Sequence, residues 1–484
     1  MRTASAALEL LAGLVLLGAI VVAPWMISPL RDTDTTRLEL AMGLGIAVWI
    51  VSVAVGLRRP HIPATLVALV VAVLAWGALL TLNARGRYDA ATHAVVSVIR
   101  PIAWLPGSVD RTASAHTLIQ VGIALVATLV LIDLARWQEM RPVALWTIAI
   151  NGAAVGAVGA FGRVTHHTWF QHASRQGGTP FAAFGNHGNA AAYIDLVLPA
   201  ALVLVATGRR SPFARVVALV LSALILAGAA TNASKAGLGA AVAIVLVFAL
   251  VTTRRATGLP VRRRTSLRLA AFALIVVMAA TGAILSRNRW SELPGELSIH
   301  GGRGDVWHVA YDVWDGHRLT GSGPGSFKIL LPSVAAAREP QLFRNWIVSD
   351  YVPGSPVTIW MVADNDPLQT LAEWGVIGAL LLGTILLWPI GRSLRLRTDN
   401  LFDGTVRVGG LLALGVLYVH SLIDFPLQVF AIQMIAGLWA AILTGGTEST
   451  PDRGERAGRG HRRDARAMRR YQREMHSRNA PWSA

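Results

Sequence analysis

Ile62-Pro-Ala-Thr-Leu-Val-Ala-Leu-Val-Val-Ala-Val-Leu-Ala-Trp-Gly-Ala-Leu-Leu-Thr-Leu-Asn83 contains no charged side chain and no alternation of apolar with polar residues. A hydrocarbon core of about 30 Å is crossed by roughly 20 residues of helix. A strand of a spanning barrel needs only about 10, alternating in polarity. Lipid offers no hydrogen bonds to exposed peptide groups, so a run this long and this even must close its own backbone bonds as a helix. The same pattern recurs outward in both directions. Twelve runs are expected to span, near 6–28, 38–57, 62–83, 116–135, 142–161, 189–207, 212–231, 236–253, 267–285, 369–388, 406–424 and 428–445. The chain reads as all-α, a polytopic membrane protein of about 12 transmembrane helices with one large helical non-cytoplasmic loop.

Composition agrees. Of 484 residues, 54% are hydrophobic and 15% charged, too apolar and too poor in charge for a water-soluble chain of this length. The net charge is +17, yet the basic residues lie in short clusters between apolar runs instead of on one face with interleaved aromatics. That distribution argues against nucleic acid as a partner. With no cysteine, disulfides, thiolate zinc sites and a cysteine nucleophile are excluded, and any catalysis must use oxygen or nitrogen groups. The first run, Ala6 to Ile27, follows Arg2 in the manner of a signal peptide but is long enough to be a retained span.

Lys and Arg near span ends are held on the cytoplasmic side, which orients the chain. Every second loop is basic: Arg58 and Arg59; Arg136 and Arg141; Arg209, Arg210 and Arg215; Arg254 to Arg268; and Arg392, Arg395, Arg397 and Arg407. Arg2 and the basic tail fall on the same side, so both termini are expected in the cytoplasm. Residues 1–445 form the membrane domain in this reading. The segment 446–484, rich in arginine and poor in large apolar residues, is expected to be a disordered or surface-lying tail near membrane lipid.

Four segments remain outside: 31–37, 84–115, 162–188 and 286–368. The last is far longer than an ordinary connection and carries Trp290, Trp307, Trp314, Trp346 and Trp360, which suits helices lying packed at the membrane surface. In it Arg303, Trp307 and Tyr311 share one helical face. The glycine-rich run Gly321-Ser-Gly-Pro-Gly325 follows. Then Asp364-Asn365-Asp366-Pro367-Leu368-Gln369-Thr370-Leu371-Ala372-Glu373-Trp374-Gly375 leads polar residues directly into a span.

These pieces resemble the O-antigen ligase and O-antigen polymerase-like membrane glycosyltransferases. Members typically show Arg followed by Trp in a large outer loop, a Gly-x-Gly-Pro-Gly-x-Phe turn, and a His-Asn-x-x-Leu-Gln-x-x-x-Glu-x-Gly-x-x-Gly segment opening the next span. Asn186 and Asn189 are similar to the family's Asn-x-Asn segment, Ser234-Lys235-Ala236-Gly237 to its Ser-Arg-x-Gly, and Asp424-Phe425-Pro426-Leu427 to its short outer turn near the C-terminus. The resemblance runs over about 184 to 430, and departs in two places. Asp364 stands where the family has a histidine held to be the base, and Lys235 where it has arginine.

The resemblance implies transfer of a glycan from a polyprenyl-diphosphate-linked donor to an acceptor hydroxyl on a glycan or lipid-glycan. The reaction would run at the outer face of the bacterial cytoplasmic membrane, with inversion and without a cofactor or metal. Asp364 and Asp366 are the implied catalytic carboxylates. An ordinary Asp titrates near ~3.9, so Asp364 needs burial or a neighbouring acid, such as Asp366, to serve as a base. Arg303, Lys235, Ser234, Asn365, Arg175, Asn186, Asn189 and Glu373 are the implied substrate-binding residues. Arg303 would grip the diphosphate with its fork, and Lys235 would act as a compact charge.

Plainer readings stand beside these. Arg303 can be a snorkelling interfacial arginine, Lys235 a span-end anchor, Asp364 a helix N-cap, Asp364-x-Asp366 a cation motif, and Gly321 to Gly325 a simple tight turn. His166, His167 and His172 read as surface histidines, and Gly152-x-x-x-Gly156 as a close helix contact. A multi-span solute transporter is the rival function, because Asp195, His420 and Asp424 fall in or at the ends of spans, where ionisable groups are costly.

Overall fold

The computed structural model describes residues 2–26, 32–89, 94–98, 102–137, 139–167, 180–207, 211–255, 303–338, 362–395 and 401–445. Among them the elements are α1 (Arg2–Val22), α2 (Asp32–Gly56), α3 (Ala64–Leu82), β1 (Gly86–Asp89), β2 (Ala94–Ser97), α4 (Arg111–Leu134), α5 (Met140–Thr165), α6 (His187–Thr207), α7 (Pro212–Thr231), α8 (Lys235–Arg255), α9 (Arg303–Asp315), α10 (Phe327–Arg338), α11 (Asp366–Arg395), α12 (Leu401–His420) and α13 (Phe430–Gly445). Ten are long and apolar enough to cross a membrane, and α13 is a shorter apolar helix behind the 3-10 turn Pro426–Gln428. This is an all-α polytopic membrane protein. The expected span at 267–285, the 446–484 tail, Arg175, His172, Trp290, Trp346 and Trp360 lie outside the described residues.

Boundaries moved where polar residues continue a helix beyond its apolar part. α2 begins at Asp32, inside the expected outer segment 31–37, and α4 at Arg111, inside 84–115. The start of α4 is set by Asp110, whose carboxylate accepts from the amides of Thr112 and Ala113. The described residues of 84–110 fold back on the end of α3: β1 and β2 pair antiparallel, and Asn83 ties down the carbonyls of Ile102, Leu105 and Pro106.

Small residues bring the central helices together. A Cβ on Gly156 would lie 2.6 Å from the Leu224 carbonyl oxygen, and one on Gly228 the same distance from Gly156 Cα. The backbones of α5 and α7 are thus in contact, as the Gly152-x-x-x-Gly156 spacing predicts, because without a hydrophobic drive in lipid, close packing carries helix association. α6 lies innermost, against α5, α7, α8 and α12. Most of its side chains from Gly188 to Leu204 are buried.

At one end of the bundle Asp133, fully buried, accepts from both terminal nitrogens of Arg58, from Trp49 Nε1 and from the His61 amide. Glu9 pairs with Arg58 and Arg136 there. The described parts of 84–115 and 303–338 meet at the opposite ends of the same helices.

Candidate functional site

The glycine-rich run is not a free turn, and α11 is not a continuous helix. Gly375 has φ +66 and ψ −177, which breaks the helix between Trp374 and Val376. The freed groups are taken up by 318–323. The Ser322 and Gly323 amides donate to the carbonyls of Ala372 and Glu373, at 2.9 and 2.8 Å. The Val376 and Ile377 amides donate to Arg318 and Leu319, at 3.0 and 3.3 Å. A side chain on Gly321 would strike the Glu373 carbonyl, and one on Gly375 the Leu319 carbonyl, so the two strands of backbone meet only because both residues are glycine. Irregular backbone inside a membrane bundle is tolerated where protein supplies the lost bonds. The turn is also fixed from 84–114: the Val109 amide donates to Ser322 O, and Ser114 Oγ to Pro324 O.

The splice sets the frame for the polar start of α11. Glu373 is buried and accepts from the Gly325 amide at 2.8 Å and from Gln369 Nε2 at 3.0 Å. Gln369 in turn accepts from the Ala363 amide at 3.0 Å. Asn365, not Asp364, caps the helix: its Oδ1 accepts from Leu368 N, while its Nδ2 donates to Leu422 O. Asp366 pins the C-terminal turn, accepting from Leu427 N at 2.8 Å and Gln428 Nε2 at 3.2 Å while its own amide donates to Ser421 O.

Asp364 is thereby left with its side chain uncommitted to backbone. Its φ of +48 lies in the left-handed region, which Asp tolerates better than most residues. On α9, Arg303 and Trp307 both face it. Arg303 Nε lies 3.5 Å from Asp364 Oδ2, and Trp307 Nε1 donates to the Asp364 carbonyl at 3.2 Å. Tyr311, one turn on, packs edge-on against Trp314. α9 and α10 share a small core of Val306, Val309, Ala310, Val313, Phe327 and Leu331 with Ala363 and Ala372, which holds Arg303 over the mouth of α11.

The same guanidinium reaches a second acid: Arg303 Nη2 is 4.0 Å from Asp424 Oδ2. Asp424 Oδ2 is 3.9 Å from His420 Nε2, and His420 Nδ1 is 3.6 Å from Asp195 Oδ2. A line of alternating acids and bases thus runs from Asp364 through Arg303, Asp424 and His420 to Asp195 on α6. Burial pushes the Asp364 carboxyl up to about 7, helped by the charge of Asp424 and opposed by Arg303. The neighbouring acid that matters is therefore Asp424, 60 residues away, and not Asp366.

The start of α6 closes the site from the side. A Cβ on Gly188 would collide with Asp424, the Gly188 amide donates to Asn186 Oδ1 at 2.6 Å, and Asn189 is buried with no partner for its Oδ1. Asn232 Nδ2 donates to His187 O, and Ser234 Oγ accepts from the Gly237 amide, capping α8, whose first residue is Lys235. A side chain on Gly237 would strike Ala191 of α6. Among the described residues no group of three His, Asp or Glu could hold a metal ion.

Sequence reasoning singled out Asp364, Arg303, Asn186, Asn189 and Ser234 for this site but assigned Asp195 and His420 to a rival function. Asp424 it read both as part of the short outer turn and, with those two, as support for the rival function. The signal was present in the spacing: His420 and Asp424 are four residues apart at a span end on the side already argued to be outer.

No curated protein matches the chain. Residues 195–383 match the family model described as O-antigen ligase. The matched region runs from the buried acid of α6 through Lys235, Arg303 and Asp364 to the middle of α11. Over that region this all-α membrane protein is O-antigen-ligase-like.

Proposed function

We propose that the protein transfers a glycan from a polyprenyl diphosphate to an acceptor hydroxyl, with inversion, at the outer face of the bacterial cytoplasmic membrane. The observation that carries the reading is the pair of carboxylates, Asp364 and Asp424, bridged by the single guanidinium of Arg303 at the mouth of a broken helix, with Asp364 and Arg303 inside the O-antigen ligase match. Asp364 is the base. A carboxyl held near 7 is ionised in half the molecules at neutral pH and holds a proton far better than an ordinary Asp. Arg303, half-exposed, turns its fork to the departing diphosphate, with Lys235 at the start of α8 adding positive charge. Asn189, whose buried Oδ1 has no hydrogen-bond partner, is the binding group offered to substrate, while Asn186, Ser234 and Asn365 hold the starts of α6, α8 and α11. Asp366 and Glu373 act by holding the backbone on either side of Asp364.

The hydroxyl oxygen forms its bond to the anomeric carbon as the bond to the phosphate oxygen breaks. The proton goes to the carboxylate pair and the electron pair leaves with the diphosphate. The deciding experiment supplies a polyprenyl-diphosphate-linked oligosaccharide to the reconstituted protein. Release of polyprenyl diphosphate by wild type, and its loss by at least about 100-fold in Asp364→Ala and Arg303→Ala of unchanged folding, is the expected result. A solute transporter is the second reading, favoured by the buried Asp195–His420 pair. It is supported instead if no donor is consumed while a solute crosses the membrane and Asp195→Asn stops it.

A further inference from the structure

The inner end of the acid-base line is unused by the mechanism above. Asp195 and His420 are almost wholly enclosed, at 1% and 4% exposure. Neither carboxylate oxygen of Asp195 nor Nδ1 of His420 has a hydrogen-bond partner, and the two groups stand 3.6 Å apart. Burying such groups is costly unless they serve each other or the chemistry. The opposite ring nitrogen, Nε2, points to Asp424 at 3.9 Å, and Asp424 shares Arg303 with the base. An acid on one imidazole nitrogen fixes the tautomer and leaves the other nitrogen free to accept a proton. Separations of this size commonly tighten only when substrate arrives.

Among the described residues, the charged and titratable side chains that neighbouring elements bring to this end include Asp195 and His187 from α6, Lys235 from α8, Arg303, Asp305 and His308 from α9, and Asp364, Asp366 and Glu373 at or near the start of α11. α13 brings none. Asp195 stands at Nδ1 of the imidazole and Asp424 at Nε2.

We propose that His420, oriented by Asp195, is where the proton of the acceptor hydroxyl comes to rest, passed inward from the carboxylate pair through Asp424. The claim rests on the glycan-transfer reading and deepens it. As the hydroxyl oxygen bonds to the anomeric carbon, its proton moves to the carboxylate pair, and Asp424 delivers a proton to Nε2. The diphosphate departs with the bonding electrons, and the imidazolium later releases the proton to the outer solution. Asp195 is a positioning residue, since it acts on the reaction through the imidazole.

The test uses the full-length protein in reconstituted membranes with the polyprenyl-diphosphate-linked donor, comparing His420→Gln and Asp195→Asn with wild type, each checked for a wild-type melting temperature. Expected is a fall in kcat of about 100-fold or more for His420→Gln and a smaller fall for Asp195→Asn, with donor KM within about threefold of wild type. Azide carries no proton to remove and attacks the anomeric carbon directly. Added azide should therefore restore turnover in both variants and yield the glycosyl azide. Unchanged kcat in a folded His420→Gln overturns the proposal, and so does a loss that azide does not restore, because a distorted site stays slow whatever the nucleophile. Should His420→Gln not fold, Asp195→Asn decides by the same azide criterion. Failure of wild type to consume the donor removes the glycan-transfer reading itself, and is seen separately from either result.

Discussion

Asp364 sits where its backbone is held in the left-handed region, its carbonyl is fixed by Trp307 and its carboxylate faces Arg303. The proton affinity of that one group sets a measurable pH dependence. Its carboxyl is raised to about 7, first by burial and then by Asp424, and only the ionised form can take a proton. Transfer should therefore rise with pH through about 7. Arg303 acts in the opposite sense, favouring the ionised form, so Arg303→Gln should move the midpoint of the rise upward as well as lower the plateau. A pH-rate profile of the two proteins checks both, and a midpoint that stays put or falls would remove Asp364 from the base role. How far this site was legible follows from its parts. Asp364 and Arg303 were visible because they lie in recognisable short patterns. Asp424 was not assignable as the acid beside Asp364, because nothing local links positions 60 apart. What joins them is Asp366, which ties the start of α11 to the 421–428 turn.

At the scale of elements, the spans could be read from composition alone, since a run of about 20 apolar residues has few alternatives in lipid. The break in α11 could not. Gly375 looks like any helix glycine until its partner is known, and the partner is a turn more than 50 residues earlier in the chain. That pairing predicts a sharp contrast between two glycines of one helix. At Gly375, φ is +66 and a side chain would meet the Leu319 carbonyl, so Gly375→Ala should destabilise by about 1–3 kcal/mol and lower transfer by displacing Glu373 and Asp364. Gly383, further along α11, has nothing within 4 Å of where a Cβ would stand, and Gly383→Ala should be neutral or slightly stabilising. Thermal unfolding in detergent separates the two. Equal effects would mean that the splice between 318–323 and α11 contributes no stability.

For the whole molecule the question is which end faces outward, since a donor on a lipid carrier can be used only where its head group is exposed. The helix ends divide into two sets. Arg85, Ser108, Asp110, Gly188, Ser234, Arg303, Asp364 and Asp424 belong to one, and Glu9, Arg58, Asp133 and Arg136 to the other. The bonds described above join residues within a set. The basic loops Arg58–Arg59 and Arg136–Arg141 adjoin the second set, which the retention of Lys and Arg would place in the cytoplasm. The absence of cysteine makes this directly testable, because any introduced thiol is the chain's only one. Trp104 and Leu319 are exposed at the site end, and His61 is exposed at the other. In sealed vesicles of native orientation, a membrane-impermeant maleimide should label Trp104→Cys and Leu319→Cys and leave His61→Cys unlabelled until the membrane is opened. Inverted vesicles should give the opposite pattern. If His61→Cys alone reacts from outside, the acid-base line from Asp364 to Asp195 opens to the cytoplasm, where the proposed outer-face transfer could not occur. Labelling of all three from one side would contradict the separation of the two sets of helix ends.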